Sequence, residues 1–525
     1  MKKLLKPGTV ENQKIRFNGK KKGIFLFLLF AWCIPALACT RSVKYPDDPF
    51  TDLPISTLPA TQTQGIFQDA TISPASTIDP IAPTVDLTTS PTPIPPVLYY
   101  TQAGDTLPVL SVRFNVNPDE IISPETLPVT SLLKPNLLLI IPNRLGDTTP
   151  ADILFPDSEV VFSPSAIDFD VEAFVNEAGG YLSTYSQWLS TGNITGAHVI
   201  EKVAIENSIN PRLLLALLEY QSNWVYGQPA NMAQTEYPMG YIDYAYKDLY
   251  HQLAWAVQQL SIGYYGWRAG LLTELCFPNG ETLRIAPTVN AGTVAIQYLF
   301  SQLYYAQQWA GNLYTPDGIT GLHERMFGNY WIRAQSVEPL YPTDLSQPEL
   351  ELPFYAGTLW SLTGGPHSAW GKDGALSALD FAPAANENGC VESLEWVTAS
   401  APGVITRSEN GVVVLDLDGD GNEQTGWAIM YLHIATKDRV AVGTRLPLEG
   451  KIGHPSCEGG LATGTHVHIA RKYNGEWILA DGPMPFNLSG WTAHNGLAPY
   501  KGNLTKGDLI VTASTVGSYE SRISR

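Results

Sequence analysis

Three kinds of hydrophobic patterning follow one another along this chain. The first is short: Leu98-Tyr99-Tyr100-Thr101-Gln102-Ala103-Gly104-Asp105-Thr106-Leu107 reads as a strand and a Gly-Asp turn. An amphipathic stretch from Val109 to Phe114, a second helix start at Asn117-Pro118-Asp119-Glu120 and a strand Leu137 to Ile141 complete a βααβ unit over residues 98–143. Residues 160–345 carry a helical period. Asn210-Pro211 caps a helix with Leu213, Leu214, Leu217 and Leu218 on one face, and Lys247 to Leu275 and Asn290 to Ala310 extend the pattern, which predicts an all-α middle domain. From Leu352 the pattern changes to short β-favouring runs separated by Gly, Asn and Asp. This predicts an antiparallel all-β domain over 352–500, with 501–525 as a C-terminal tail.

Ahead of these elements the composition is different. Lysines ending at Lys20-Lys21-Lys22, the apolar run Gly23 to Ile34 and Pro35-Ala36-Leu37-Ala38-Cys39 read as a secretory signal over residues 1–39. Ala36-Leu37-Ala38-Cys39 also resembles a bacterial lipobox, with Ala36 where Leu is usual. Export to the cell envelope follows, either as a released protein or attached to the membrane through a lipidated Cys39. Residues 40–97 are rich in Pro, Ser and Thr and cannot bury enough surface to fold, so they predict an extended linker. The net charge of -18 excludes the basic face of a nucleic-acid binder.

Chemistry gathers in the C-terminal domain, which holds six of the nine histidines. In Gly464-Thr465-His466-Val467-His468 the two imidazoles alternate, so on a strand both face one site. His367 ends Gly364-Gly365-Pro366-His367, Asp380 lies in Ala378-Leu379-Asp380-Phe381, and His433 closes Tyr431-Leu432-His433-Ile434. Two imidazoles and a carboxylate with an open fourth position make a catalytic zinc site.

Over residues 355–485 this set resembles the lysostaphin-type zinc metalloendopeptidases, and more closely their β-lytic branch, where a long gap separates the first His from an Asp in an LDF segment. By that resemblance His367, Asp380 and His468 are the zinc ligands, and His433 and His466 are the two catalytic histidines that do not bind metal. Gly371 stands where lysostaphin has an Asp, and Asp380 is favoured over Asp373 as the ligand. Cys390 and Cys457 share this domain in an exported protein and are expected to pair, leaving Cys276 as a buried free thiol.

Two further resemblances concern the rest of the chain. Residues 98–143 resemble a LysM module, which implies binding of N-acetylglucosamine-containing glycan such as peptidoglycan. Ile209 to Ser222 is similar to the catalytic helix of lysozyme-like transglycosylases, but Gln221 stands where their Glu does, and an amide is no general acid. Asp416-Leu417-Asp418-Gly419-Asp420-Gly421 opens like a calcium loop, yet Trp427 takes the position of its closing Glu, and a tight hairpin explains the same residues. Together these readings predict a wall-directed zinc endopeptidase, with a non-enzymatic regulator of other hydrolases as the alternative.

Overall fold

The computed structural model describes residues 94–525 apart from 386 and 388. The expected signal, the linker up to residue 93 and Cys39 lie outside the described residues.

The first unit is built on the strands Val97–Tyr100 and Leu138–Ile141, which pair antiparallel. The helix Leu107–Phe114 starts at Thr106, whose side chain accepts from the Val109 amide, and ends at Asn115 in the left-handed region. The expected second helix is a single 3-10 turn, Pro118–Glu120. Prolines at 118, 124, 128 and 135 keep the following segment from propagating one. Tyr99, Leu110, Phe114, Leu139 and Ile141 form its small core.

The middle residues are mostly helical. Pro211–Ser222 runs from an Asn210 side-chain cap on the Arg212 amide to Asn223 at φ 57°. The stretch read as Lys247 to Leu275 is the helix Leu249–Arg268 followed by the strand Glu274–Cys276. The stretch from Asn290 is two helices, Ala291–Leu303 and Ala306–Tyr314. Two antiparallel hairpins, Ser186–Leu189 with Gly192–Thr195 and Glu274–Cys276 with Thr282–Arg284, correct the all-α expectation. Each is only three or four residues per strand, too short to give a recognisable period of two.

Beyond residue 352 the chain forms a nine-stranded antiparallel sheet. Its central order is Gly403–Glu409, Val412–Asp416, Trp427–Leu432, Val467–Tyr473, Leu376–Pro383, Trp360–Ser368. Residues 501–525, expected as a tail, are part of the fold. Gly502–Lys506 and Leu509–Thr512 belong to a second, four-stranded sheet, and Arg522–Ile523 pairs with Trp360–Ser368.

Alternation along the strands gives the large sheet two apolar faces. Leu379, Phe381, Val413, Ile429, Tyr431, Val467 and Ile469 pack on the smaller sheet through Phe486, Leu488, Trp491 and Leu504. Ala378, Val412, Val414, Ala428, Met430, Leu432 and Ala470 share one continuous core with the helices. Buried polar contacts reinforce this second junction. Arg268 bonds Asp157 (2.8 Å), Glu476 (2.9 Å) and the Ala103 carbonyl, so one guanidinium ties the first unit, the helices and the β half together. Asp380 and His468 share the parity of Ala378 and Ala470, which puts them on the helix-facing side of the sheet.

Candidate metal centre

Three neighbouring strands carry the site. His468 is the second residue of Val467–Tyr473, and in register it pairs with Leu432 on one side and Asp380 on the other. Asp380 in turn opposes Gly364, across from which His367 continues the same bulged strand. Gly364 is required there: a Cβ would stand 2.4 Å from Asp380 Oδ2.

Hydrogen bonds to backbone carbonyls set each ring's tautomer. A carbonyl only accepts, so the nitrogen facing it carries the proton. His367 Nδ1 donates to Gly365 O at 2.8 Å, and His468 Nε2 donates to Ala369 O at 3.0 Å. The opposite nitrogens, His367 Nε2 and His468 Nδ1, are therefore bare in the neutral rings, and they lie 3.0 Å apart. Asp380 Oδ1 is 3.2 Å from each, and it is buried without a hydrogen-bond donor. Three lone pairs thus converge at a buried point where, among the described residues, none supplies a proton, an arrangement that a cation resolves. The donor set, two imidazoles and one carboxylate with ligand atoms within 4.8 Å of one another, fits a divalent transition metal.

The charges respond accordingly. Burial would raise the Asp380 carboxyl, but the imidazoles of His367, His468 and His466 outweigh it and hold it well below the usual range. Burial would lower His367, yet Asp380 and the Gly365 carbonyl raise it. His468 is lowered, mainly by burial.

Two more histidines close the space. His466 Nδ1 donates to Gly464 O at 2.7 Å, and its Nε2 lies 3.7 Å from Asp380 Oδ1. His433 Nδ1 donates to Glu458 O at 2.8 Å. The two rings are 4.5 Å apart, and with Nδ1 of each engaged by a carbonyl, Nε2 is bare in the neutral ring. His433 is pushed down to about 3 by burial and by His466 and His468, which keeps it neutral. Cys390 and Cys457 are joined by a disulfide in the segment leading to His466.

Tyr500 is a neighbour the sequence did not announce. Its ring stacks on His367 at 4.0 Å, and its backbone pairs with Gly365 and Pro366. It lies 32 residues beyond His468 in a turn between strands, so neither spacing nor period marks it.

Other candidates lie elsewhere. Asp373 accepts from Gln258 of the helix Leu249–Arg268, and His454 and His494 take loop and strand partners outside the site. Asp416, Asp418 and Asp420 cluster, but Glu423 turns inward to Arg407 and Lys472, and Asp416 accepts backbone amides of Asp418, Gly419 and Gly421 as a hairpin brace. Gln221 accepts from Tyr304, and Glu219 caps the Val225 and Tyr226 amides. Neither is arranged as an acid. Cys276 is half-buried at the end of the strand Glu274–Cys276, where the sequence suggested a buried residue.

Parts of the chain are similar to known proteins. Residues 153–340 match the family described as "LasA, N-terminal domain". The chain is 25% identical to Protease LasA of Pseudomonas aeruginosa over 376 residues, 67% of this chain and 82% of that protein. It is 29% identical over 154 residues to the β-lytic metalloendopeptidase of Achromobacter lyticus, 27% of this chain and 37% of the relative. A solved structure titled as the M23 metalloprotease pseudoalterin, from the deep sea, is 24% identical, covering 32% of this chain and 96% of its own at a TM-score of 0.27.

With relatives so named and a His-Asp-His trio on an antiparallel sheet, the protein is a metalloendopeptidase. The relatives that carry this reading are a LasA protease and a β-lytic metalloendopeptidase.

Proposed function

We propose that this protein is an exported zinc endopeptidase that cuts peptide bonds in the stems or cross-bridges of peptidoglycan. The observation that carries the reading is the convergence of His367 Nε2, His468 Nδ1 and buried Asp380 Oδ1 with no proton among them. These three would hold zinc, which when bound supplies a Lewis acid and an acidified water at neutral pH.

The chain's own residues supply the proton handling. His466, whose Nε2 lies 3.7 Å from Asp380 Oδ1 at the edge of the acceptor trio, takes the proton. His433, neutral and next to it, accepts a hydrogen bond from the attacking water and aligns it. The proton on His466 then passes to the departing amine. Tyr500, stacked on His367, walls the opposite side of the site.

The wall as substrate rests on the resemblance to β-lytic and lysostaphin-type enzymes and on the export signal. The unit over 98–143 is proposed as a LysM anchor on glycan, and Cys39 as a candidate membrane attachment.

Purified sacculi incubated with the full chain test the bond class. New free amines without new reducing ends are expected; reducing ends or anhydro sugars without amines would overturn the reading.

A further inference from the structure

His433 is held in a conformation that its own sequence does not favour. It lies one residue past the strand Trp427–Leu432, and its backbone is left-handed at φ 66°. A non-glycine residue stays there only when its surroundings over-determine it.

The segment Ser456 to Glu458 does this. The Ser456 amide and hydroxyl both donate to the His433 carbonyl, at 2.7 and 3.0 Å. The Ser456 hydroxyl also accepts from the Glu458 amide at 3.0 Å, which fixes where Glu458 begins. Glu458 then grips the loop at two points. Its carbonyl accepts from His433 Nδ1 at 2.8 Å. Its carboxylate accepts from the Thr436 amide at 2.9 Å and from the Thr436 hydroxyl at 2.6 Å. Residue 457 between them is tied by its disulfide to Cys390.

Resting on the reading of His433 as a catalytic residue, we infer that Glu458 is its positioning residue. The carboxylate on Thr436 holds Glu458 in place, so that its carbonyl fixes the tautomer and angle of the His433 ring. Glu458 touches neither the acceptor trio nor the space between the rings, so its effect passes through His433. The carboxylate is 43% exposed and also faces Arg439 at 3.9 Å, whose guanidinium donates to the Ile434 carbonyl, so every partner of this acid lies on the loop that follows His433. Ring misplacement of about 1 Å costs on the order of 100-fold in rate, which sets the expected size of the effect.

The test uses the full chain loaded with zinc, on soluble cross-linked muropeptides, with kcat and KM measured separately. Glu458→Ala is expected to lower kcat about 10- to 100-fold while KM and zinc content stay unchanged. Glu458→Gln keeps an oxygen for the Thr436 amide and should recover most of the loss, and Thr436→Val should show a smaller loss of the same kind. The far-downfield His433 Nδ1–H proton resonance should broaden in Glu458→Ala and persist in Glu458→Gln. If His433→Ala loses turnover while Glu458→Ala keeps it, or if Glu458→Ala raises KM alone, the positioning role is refuted. If His433→Ala itself keeps turnover, the parent assignment of His433 fails instead.

Discussion

Gly364→Ala tests the site by pure sterics. Gly364 opposes Asp380 in the sheet, and the added methyl would lie 2.4 Å from Oδ2, 2.9 Å from Cγ and 3.1 Å from Cβ of that residue. Carbon and oxygen do not stay closer than about 3 Å, so the carboxylate must recede by roughly 0.6 Å or more. Metal-ligand distances tolerate only about 0.2 Å, and the receding carboxylate carries Oδ1, the one anionic ligand atom. Zinc affinity should therefore fall at least about tenfold, or ~1.4 kcal/mol, and as much as about 100-fold. The backbone at Gly364 is not left-handed, and alanine in a strand replaces glycine at a gain in chain entropy. The metal-free protein should thus unfold within about 1 kcal/mol of the parent. Competition against a chromophoric chelator gives the affinity, and urea unfolding of the stripped protein gives the stability. Unchanged zinc affinity would refute the claim that Asp380, in the position seen, is a ligand.

Glu423 is buried, with Arg407 at 2.8 Å and Lys472 at 2.6 Å, and Lys472 lies on the strand of His468. Lys472 and Arg407 overcome burial and hold its carboxyl at about 2 against an ordinary 4.5. A depressed carboxyl stabilises the fold above pH 4.5, and this is lost as pH falls toward 2. Glu423→Gln should cost about 3 kcal/mol in urea unfolding at pH 7, with the gap to the parent closing in acid; a gap that does not depend on pH would contradict this. Metal retention should also fail in acid. Asp380 raises the proton affinity of His367, and a protonated Nε2 has no lone pair to give, so zinc content after dialysis should drop already in mildly acidic buffer and recover at neutral pH. Gln221→Glu should create no reducing ends on sacculi, because Tyr304 holds that side chain in a packed contact rather than an open cleft.

Much of the site was legible because strands impose a period of two. His466 and His468 flank Val467, and both imidazoles do reach Asp380 Oδ1, at 3.7 and 3.2 Å. What fixes their tautomers was not legible, since Gly365, Ala369, Glu458 and Gly464 act through carbonyls that every residue has. Tyr500 reaches His367 only through the turn that follows the strand Trp491–Asn495. The fold shows the same limit. Strong periods such as Pro211–Ser222 were readable, but short hairpins were not, nor was the identity of what covers the second face of the sheet. Ala378, Ala428 and Ala470 look like strand residues in sequence, and their small size admits the helices.

His367, Asp380 and His468 are proposed to hold one zinc that peptide cleavage requires. The direct measurement is to strip the full chain with a chelator, titrate zinc back, and follow amine release from purified peptidoglycan. One equivalent per chain should restore activity in the parent, while His468→Ala should neither bind that equivalent nor recover. Amine release by the stripped protein, or a correctly folded parent that takes up no zinc, would contradict the account.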